Sequence, residues 1–216
     1  MRVGGLFGTD GFDSGSVWAM TLMISMPVML IAVGPAFLLH EIGHKVVAKH
    51  YGCWAEFRAD PKGLQFGVAL AAFLGVVFMA PGAVMVAGLV TRRQNGHIAL
   101  AGPLVNLGLF VIGIPVGGIL LGLSGIGTEI AGEYLTSSGL NLKLVLYDIV
   151  LWWIGANLIL ATFNMLPFGP LDGAKIRDWN EGVWFGFFIF FLTLSFLMIT
   201  GTWNAMSLSL AIAGLF

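Results

Sequence analysis

Charged side chains are scarce in this 216-residue sequence, where they make up 10% of the residues against 58% for hydrophobic ones. Soluble domains carry about a quarter of charged residues, so the composition excludes an ordinary soluble domain and indicates a polytopic membrane protein with lipid as its surroundings. The formal net charge is only -1. No basic surface of the kind that binds nucleic acid is indicated, and we expect no nucleic-acid partner.

Cysteine is nearly absent as well, since Cys53 is the only one. A single cysteine excludes an internal disulfide and a thiolate metal cluster. Any metal site must therefore use nitrogen and oxygen ligands. A basic region followed by a short apolar segment is also missing from the N-terminus, so we expect no cleavable signal and a first helix that is retained.

Four hydrophobic runs are long enough to cross a bilayer, which requires roughly 20 residues each. They cover residues 16–49, 98–123, 147–168 and 183–200. A last run, 205–216, is short. Because Gly34 and Pro35 lie inside the first run, it is either one long, kinked helix or a span with an appended interfacial turn. The runs predict an all-α polytopic membrane protein.

Basic residues are concentrated in three polar segments, which the positive-inside rule places in the cytoplasm. All of them except Arg2 and Lys143 belong to these segments: Lys45, Lys49, Arg58, Lys62, Arg92, Arg93, Lys175 and Arg177. The two remaining polar segments contain the acids Asp10, Asp13, Glu129 and Glu133. We therefore expect a multi-pass protein of the cell membrane with an external N-terminus.

Residues 64–90 are nearly all apolar but too short for two crossings, which would need about 40 residues. Since both ends belong to cytoplasmic segments, we predict a re-entrant or membrane-edge element broken at Pro81-Gly82, with Ala83–Ala87 as an edge strand. A half-inserted helix followed by a surface strand is the alternative. Strand-favouring residues in 51–66 surround the turn Asp60–Gly63 and predict a small hairpin. A small β or re-entrant element is thus expected near the cytoplasmic face.

The sequence HEIGH, from His40 to His44, fits the pattern H-E-x-x-H. Helix residues four apart share a face, so both histidines can bind one Zn²⁺ with Glu41 beside the water. A catalytic zinc commonly has three protein ligands and a water, so a third ligand has to come from elsewhere. A merely polar helix end is the alternative, but unpaired charge beside an apolar span is costly.

Asp172 is the candidate third ligand. It lies in FNMLPFGPLDGAKI, residues 163–176, where two prolines end the third helix and two glycines permit an unwound turn that presents the carboxylate. The charge pattern places this turn at the same membrane face as His44. An ordinary turn aspartate is the alternative, and the convergence with HEIGH favours the ligand.

Three segments in this order resemble the site-2 protease family of intramembrane zinc metalloproteases: HEIGH (40–44), AGPLVN (101–106) and NMLPFGPLDG (164–173). The resemblance covers residues 38–176. It implies one Zn²⁺ per chain on His40, His44 and Asp172, and general base and acid catalysis by Glu41. For Asn164 it implies substrate positioning or carbonyl polarisation. Asn106 is expected to serve helix packing or a hydrogen bond in the site.

The same resemblance implies a zinc metalloendopeptidase that hydrolyses peptide bonds within or near transmembrane segments of membrane-protein substrates. We expect a single domain over residues 1–216, with a core at 16–176 and accessory C-terminal helices at 183–216. The external loop of residues 124–146 is too short for a PDZ module. No CBS-type or other soluble domain is expected after the last span.

Three other functions have to be weighed. A metalloprotease with a glutamate as third ligand is disfavoured, because Glu129 and Glu133 map outside and Glu181 follows no suitable helix. The main alternative is a catalytically inactive membrane chaperone or scaffold that retains the protease fold, against which the intact HEIGH and Asp172 argue. A transporter is the third alternative. Its acidic residues would be expected near the midplane of the membrane, whereas the acidic residues of this sequence cluster towards one membrane face.

Overall fold

The computed structural model describes residues 15–59, 82–130, 132, 134–136 and 139–216. Within these residues the helices are α1 (Gly15–His50), α2 (Arg92–Leu123), α3 (Leu142–Asn164), α4 (Asp172–Trp179), α5 (Glu181–Ile199) and α6 (Ala205–Ala213). The strands are β1 (Trp54–Ala59), β2 (Gly82–Ala87), β3 (Leu135–Thr136) and β4 (Gly139–Leu140). The order along the chain is therefore helix, small sheet, helix, small hairpin and four further helices.

Four of these helices, α1, α2, α3 and α5, are long and apolar enough to cross a membrane. The expected all-α polytopic membrane fold is confirmed, and each predicted run corresponds to one of them. The first run forms one continuous helix through Pro27 and Pro35 rather than a span with an appended turn. The short last run forms α6, which packs against α2.

Helix α2 is the centre of the bundle and approaches its neighbours closely at glycines. A Cβ at Gly117 would lie 2.5 Å from Val150 Cγ1 on α3, and one at Gly118 would lie 2.6 Å from the Ser209 carbonyl oxygen on α6. The Ser209 hydroxyl donates to the Ile114 carbonyl at 2.9 Å. Small residues and such polar contacts hold helices together where lipid removes the hydrophobic driving force.

The small sheet pairs β1 with β2 in antiparallel register, from Trp54 opposite Ala87 to Ala59 opposite Gly82. This confirms the strand expected at Ala83–Ala87. Within the hairpin expected at 51–66, the strand β1 is present, and it pairs with β2. The predicted turn at Asp60–Gly63 and the re-entrant residues 64–81 lie outside the described residues.

The sheet is attached to the end of α1 and the start of α2. Ala48, Cys53, Ala55 and Ile98 form a buried cluster that joins these elements. Gly88 fits tightly there, because a Cβ at this position would lie 3.3 Å from Cys53 Sγ. The sheet therefore lies next to the helical turn that follows His44.

At the opposite end of the bundle, the segment after α2 folds back onto α3. The Tyr134 hydroxyl donates to Asp148 Oδ2 at 2.5 Å, and both side chains are buried. Burial and this hydrogen bond raise the pKa of the Tyr134 phenol above its ordinary value. Asn141 caps α3 by accepting a hydrogen bond from the Leu144 amide. The segment between α2 and α3 is therefore held by hydrogen bonds at this end of the bundle.

Candidate metal centre

His40 and His44 occupy one face of α1, a single turn apart, as HEIGH predicts. Their side chains are buried, with residue exposures of 3% and 8%. The rings meet edge to face with centroids 4.7 Å apart, and the two Nε2 atoms are 3.1 Å apart. The His44 Nδ1–H donates to the Ile98 carbonyl at 2.7 Å, since a carbonyl can only accept. Its Nε2 therefore faces the site.

Helix α2 packs directly against this face because it has a glycine there. A Cβ at Gly102 would lie 2.5 Å from the Nε2 atoms of both histidines. On the α1 side, a Cβ at Gly43 would lie 3.1 Å from the Ala101 carbonyl oxygen. The two backbones thus approach each other at glycines. The sequence AGPLVN alone does not indicate this role for its glycine, Gly102.

The connection from α3 to α4 brings Asp172 to the histidines. Helix α3 ends at Asn164, before Pro167, and the Trp184 indole N–H holds the Met165 carbonyl at 2.8 Å. Gly169 adopts φ 63°, the left-handed conformation that glycine tolerates. The unwound turn precedes Asp172, which is itself the first residue of α4 and only 4% exposed.

One oxygen of Asp172 faces both imidazoles, and the other faces Lys175. Oδ2 is 3.2 Å from His40 Nε2 and 3.1 Å from His44 Nε2, while Oδ1 is 3.3 Å from Lys175 Nζ. Burial favours the neutral carboxyl, but while the imidazoles carry protons the charge of His44, the hydrogen bonds that both rings donate and the Lys175 ammonium outweigh it. They hold the pKa of Asp172 well below its usual range. The carboxylate is therefore ionised at neutral pH and can act as a ligand.

The three atoms fit a tetrahedral metal ion. Ligands about 2.0–2.1 Å from zinc in tetrahedral geometry are about 3.3 Å from one another. The distances among His40 Nε2, His44 Nε2 and Asp172 Oδ2 are 3.1–3.2 Å. Three such acceptor atoms repel one another unless a cation, either a proton or a metal ion, lies between them. Two nitrogens and one oxygen are a donor set that suits zinc.

The two residues expected to catalyse lie on α1 and at the end of α3. Glu41 follows His40 on α1, is buried, and is close enough for its charge to act on the His44 ring. Asn164 is the last residue of α3, and its amide donates to the Leu160 carbonyl at 3.0 Å. An amide group has a second hydrogen to donate. The roles of both residues stay predictions.

Two buried asparagines extend the site beyond the expected residues. Asn106 Oδ1 lies 2.5 Å from His40 Nδ1, which matches the site hydrogen bond expected for this residue. Asn106 Nδ2 in turn donates to Asn157 Oδ1 on α3 at 2.9 Å. Sequence analysis missed Asn157, although an amide in the middle of an apolar span was a signal that could have indicated it.

Comparison with known proteins identifies the family of this chain. The sequence profile of peptidase family M50 matches residues 28–179. The chain belongs to peptidase family M50. This is the family of the site-2 proteases, so the resemblance in the three sequence segments is confirmed. The match includes all three residues of the candidate metal centre.

Curated relatives of this M50 member are named as zinc metalloproteases. "Putative zinc metalloprotease MJ0611" of Methanocaldococcus jannaschii is 38% identical over 183 residues, which cover 78% of this chain and 83% of the relative. "Putative zinc metalloprotease YwhC" of Bacillus subtilis is 30% identical over 161 residues, covering 71% of this chain and 68% of the relative. No solved structure matches the chain. The M50 chain is a multi-pass membrane metalloprotease with a group of ligands suited to zinc.

Proposed function

We propose that this M50 protein is a zinc metalloendopeptidase that hydrolyses peptide bonds within or near the transmembrane segments of membrane-protein substrates. The observation that carries the proposal is the triangle of two imidazole nitrogens and one carboxylate oxygen, with sides of 3.1–3.2 Å, among apolar spans. His40, His44 and Asp172 are the proposed ligands of one Zn²⁺ per chain. Glu41 and Asn164 are the proposed catalytic residues.

Glu41 and Asn164 have different proposed roles in hydrolysis. A Zn²⁺ held by His40, His44 and Asp172 would act as a Lewis acid and would lower the pKa of its bound water from about 15.7 towards about 7. Glu41 accepts the proton of the attacking water and later delivers it to the leaving amine. Asn164 donates its second amide hydrogen to the developing oxyanion, a contribution of about 3 kcal/mol for a donor of this kind.

Substrate binding requires an unwound segment. In a helical substrate the backbone carbonyls accept hydrogen bonds within the helix and are not accessible to attack. We propose that the unwound substrate pairs with β2 as an added strand of the sheet. Main-chain hydrogen bonds to β2 would then hold the substrate. The attachment of β1 and β2 to the end of α1 supports this, because it brings the sheet near the ligands on that helix.

The proposed orientation puts the active site towards the cytoplasm, the N-terminus outside and the protein in the cell membrane. Lys45 and Lys49 lie on the same end of α1 as the metal centre, and Arg92 starts α2 at that end. The positive-inside rule assigns such an end to the cytoplasm. Water is expected to reach the site from this side, along the surface beside the lysines.

The proposed ligands and catalytic residues fall within residues 40–172, which agrees with one domain with a core at 16–176. Residues 183–216 are then accessory, although α5 and α6 pack on the core. The inactive-scaffold alternative is disfavoured by the complete set of ligands. Three converging acceptor atoms repel one another and would destabilise a protein that binds no metal ion there.

Substitution of Glu41 tests the proposed function. Purified wild type in detergent is expected to bind one zinc and cleave a model transmembrane substrate. Glu41→Gln should keep the zinc and lose activity by about 10² to 10⁴-fold, because it removes the general base. Glu129→Gln, which changes an exposed glutamate at the opposite end of the bundle, is the matched control and should retain activity. A wild type without zinc, or a Glu41→Gln variant of full activity, contradicts the proposal.

Proline substitutions in β2 test the strand-addition step separately. Successive residues of a strand direct their N–H groups to opposite edges, so Val84 and Val86 share one edge and Met85 uses the other. Val84→Pro and Val86→Pro are expected to reduce cleavage while the zinc content stays unchanged. Met85→Pro measures how much cleavage depends on the N–H group at the opposite edge of β2. Full activity in all three variants would rule out strand addition at β2.

A further inference from the structure

A chain of hydrogen bonds crosses three spans and ends at a proposed zinc ligand. It starts on α3, where Asn157 Nδ2 donates to the Trp153 carbonyl at 2.9 Å. Asn157 Oδ1 accepts from Asn106 Nδ2 of α2 at 2.9 Å, and the same amino group donates to the Ala36 carbonyl of α1 at 3.0 Å. Asn106 Oδ1 then contacts His40 Nδ1 at 2.5 Å. Both asparagines are fully buried, with exposures of 0%.

The hydrogen bond from Asn157 to the Trp153 carbonyl fixes which group donates and which accepts in every further hydrogen bond of this network. A main-chain carbonyl can only accept, so the Asn157 amino group must face Trp153 and its oxygen must face Asn106. Asn106 then meets two oxygens, those of Asn157 and Ala36, and must present its amino group to them. A flipped Asn106 would place its own oxygen against both acceptors, which is unfavourable in a buried site.

The remaining oxygen of Asn106 therefore faces the His40 ring and requires a donor there. A neutral imidazole has one N–H, and the ring nitrogen that carries it is set by the hydrogen bond which that nitrogen makes. With the proton on Nδ1, the lone pair of His40 Nε2 faces His44 Nε2 and Asp172 Oδ2. This is the tautomer that a metal ligand through Nε2 requires.

We propose that Asn157 is a positioning residue for His40: through Asn106 it keeps the imidazole in the Nδ1–H tautomer, with Nε2 directed at the metal position. The inference rests on the proposed zinc site and deepens it. Asn157 makes no direct contact with His40, so it acts by orienting the Asn106 amide. Loss of the Asn157 oxygen would leave Ala36 alone to hold that amide.

Three variants of α3 separate this role from packing. Asn157→Leu has a similar volume and removes the acceptor for Asn106. Asn157→Asp keeps an acceptor oxygen and is the conservative rescue. Thr162→Val is the matched control, because it removes a hydroxyl on the same helix that contacts Leu158 and Ser195 rather than the histidines.

Two measurements follow the imidazole and the metal. The first is the tautomer of His40 in metal-free, histidine-labelled protein, read from carbon and nitrogen chemical shifts at alkaline pH. The second is zinc affinity by competition with a chelator. Asn157→Leu should mix the tautomers and weaken zinc binding about tenfold, the lower end of the range for residues behind a ligand. Asn157→Asp and Thr162→Val should resemble wild type in both measurements.

Several results would overturn the proposal. An Asn157→Leu protein with wild-type tautomer and affinity would do so, as would a Thr162→Val protein that loses as much affinity as Asn157→Leu. If Asn157→Leu does not fold, the wild type still decides, because a predominant Nε2–H tautomer at His40 contradicts the inference. A wild type that binds no zinc contradicts the proposed function, whereas the tautomer in metal-free protein tests Asn157 independently of that result.

Discussion

Gly102 offers the sharpest test of the candidate metal centre, because alanine at this position would add one carbon atom beside the ligands. The added Cβ would lie 2.5 Å from the Nε2 atoms of both histidines. Uncharged atoms keep about 3.5 Å apart, so the rings would have to move by about 1 Å, or the methyl group would occupy space next to the ion. Ligand distances in metal sites tolerate only about 0.2 Å.

The expected result is a loss of zinc affinity of about 100-fold or more, which corresponds to about 2.8 kcal/mol. Substitutions behind the ligands typically cost 10–100-fold, and this one displaces the ligands themselves. Weakening of the helix cannot account for such a loss, because alanine has a higher helix propensity than glycine by about 1 kcal/mol. Chelator competition on purified protein measures the affinity, and substrate cleavage should fall with it.

Gly108→Ala is the matched control for this prediction. Gly108 lies on the same helix, and a Cβ there would have no atom within 4 Å. The control should bind zinc like wild type and unfold at a similar temperature. If Gly102→Ala also binds zinc like wild type, the close approach of α2 to the imidazoles does not determine the site, and the proposed ligand geometry is wrong.

Two further substitutions test how the connections on either side of the bundle are held. Gly173→Ala should displace Asp172 and reduce zinc binding, because a Cβ would overlap the Met165 carbonyl; retention of full zinc content, against Gly155→Ala on α3 as control, would contradict this. Tyr134→Phe should lower the free energy of unfolding by about 1.5–3 kcal/mol below pH 10, since it removes a hydrogen bond to the buried Asp148. Because the pKa of Tyr134 is raised in the folded protein, the wild type keeps this stability below the ordinary phenol pKa and loses it as the pH rises through the folded value. Unfolding curves of the two proteins that stay equally far apart above that range would refute the assignment.

Much of this fold could be predicted from the sequence because its signals are local. Each membrane span follows from a run of apolar residues, and charge at the ends of the runs indicates which ends lie together. His40 and His44 share a face because a helix repeats every 3.6 residues. Asp172 could be added because the proline and glycine residues around it end one helix and permit a turn at the matching end of the bundle.

Other features depend on which elements meet, and no local pattern contains that information. Strand β1 has strand-forming residues, but no local pattern shows that it pairs with β2, which lies far along the chain. The start of α4 at Asp172, which turns one carboxylate oxygen to the imidazoles and the other to Lys175, follows from the packing of α4 against α2. The close approach at Gly102 likewise exists only because α1 and α2 are in contact.

Composition, charge and helical period specify the membrane spans and place the candidate ligands at one end of the bundle, because these signals act one segment at a time. Which polar atoms face one another across the spans depends on the packing of the helices. Asn106 and Asn157 are 51 positions apart and match no spacing rule, yet they meet between α2 and α3 and reach His40 on α1. A buried amide must find a partner, and the packing of the helices alone selects it.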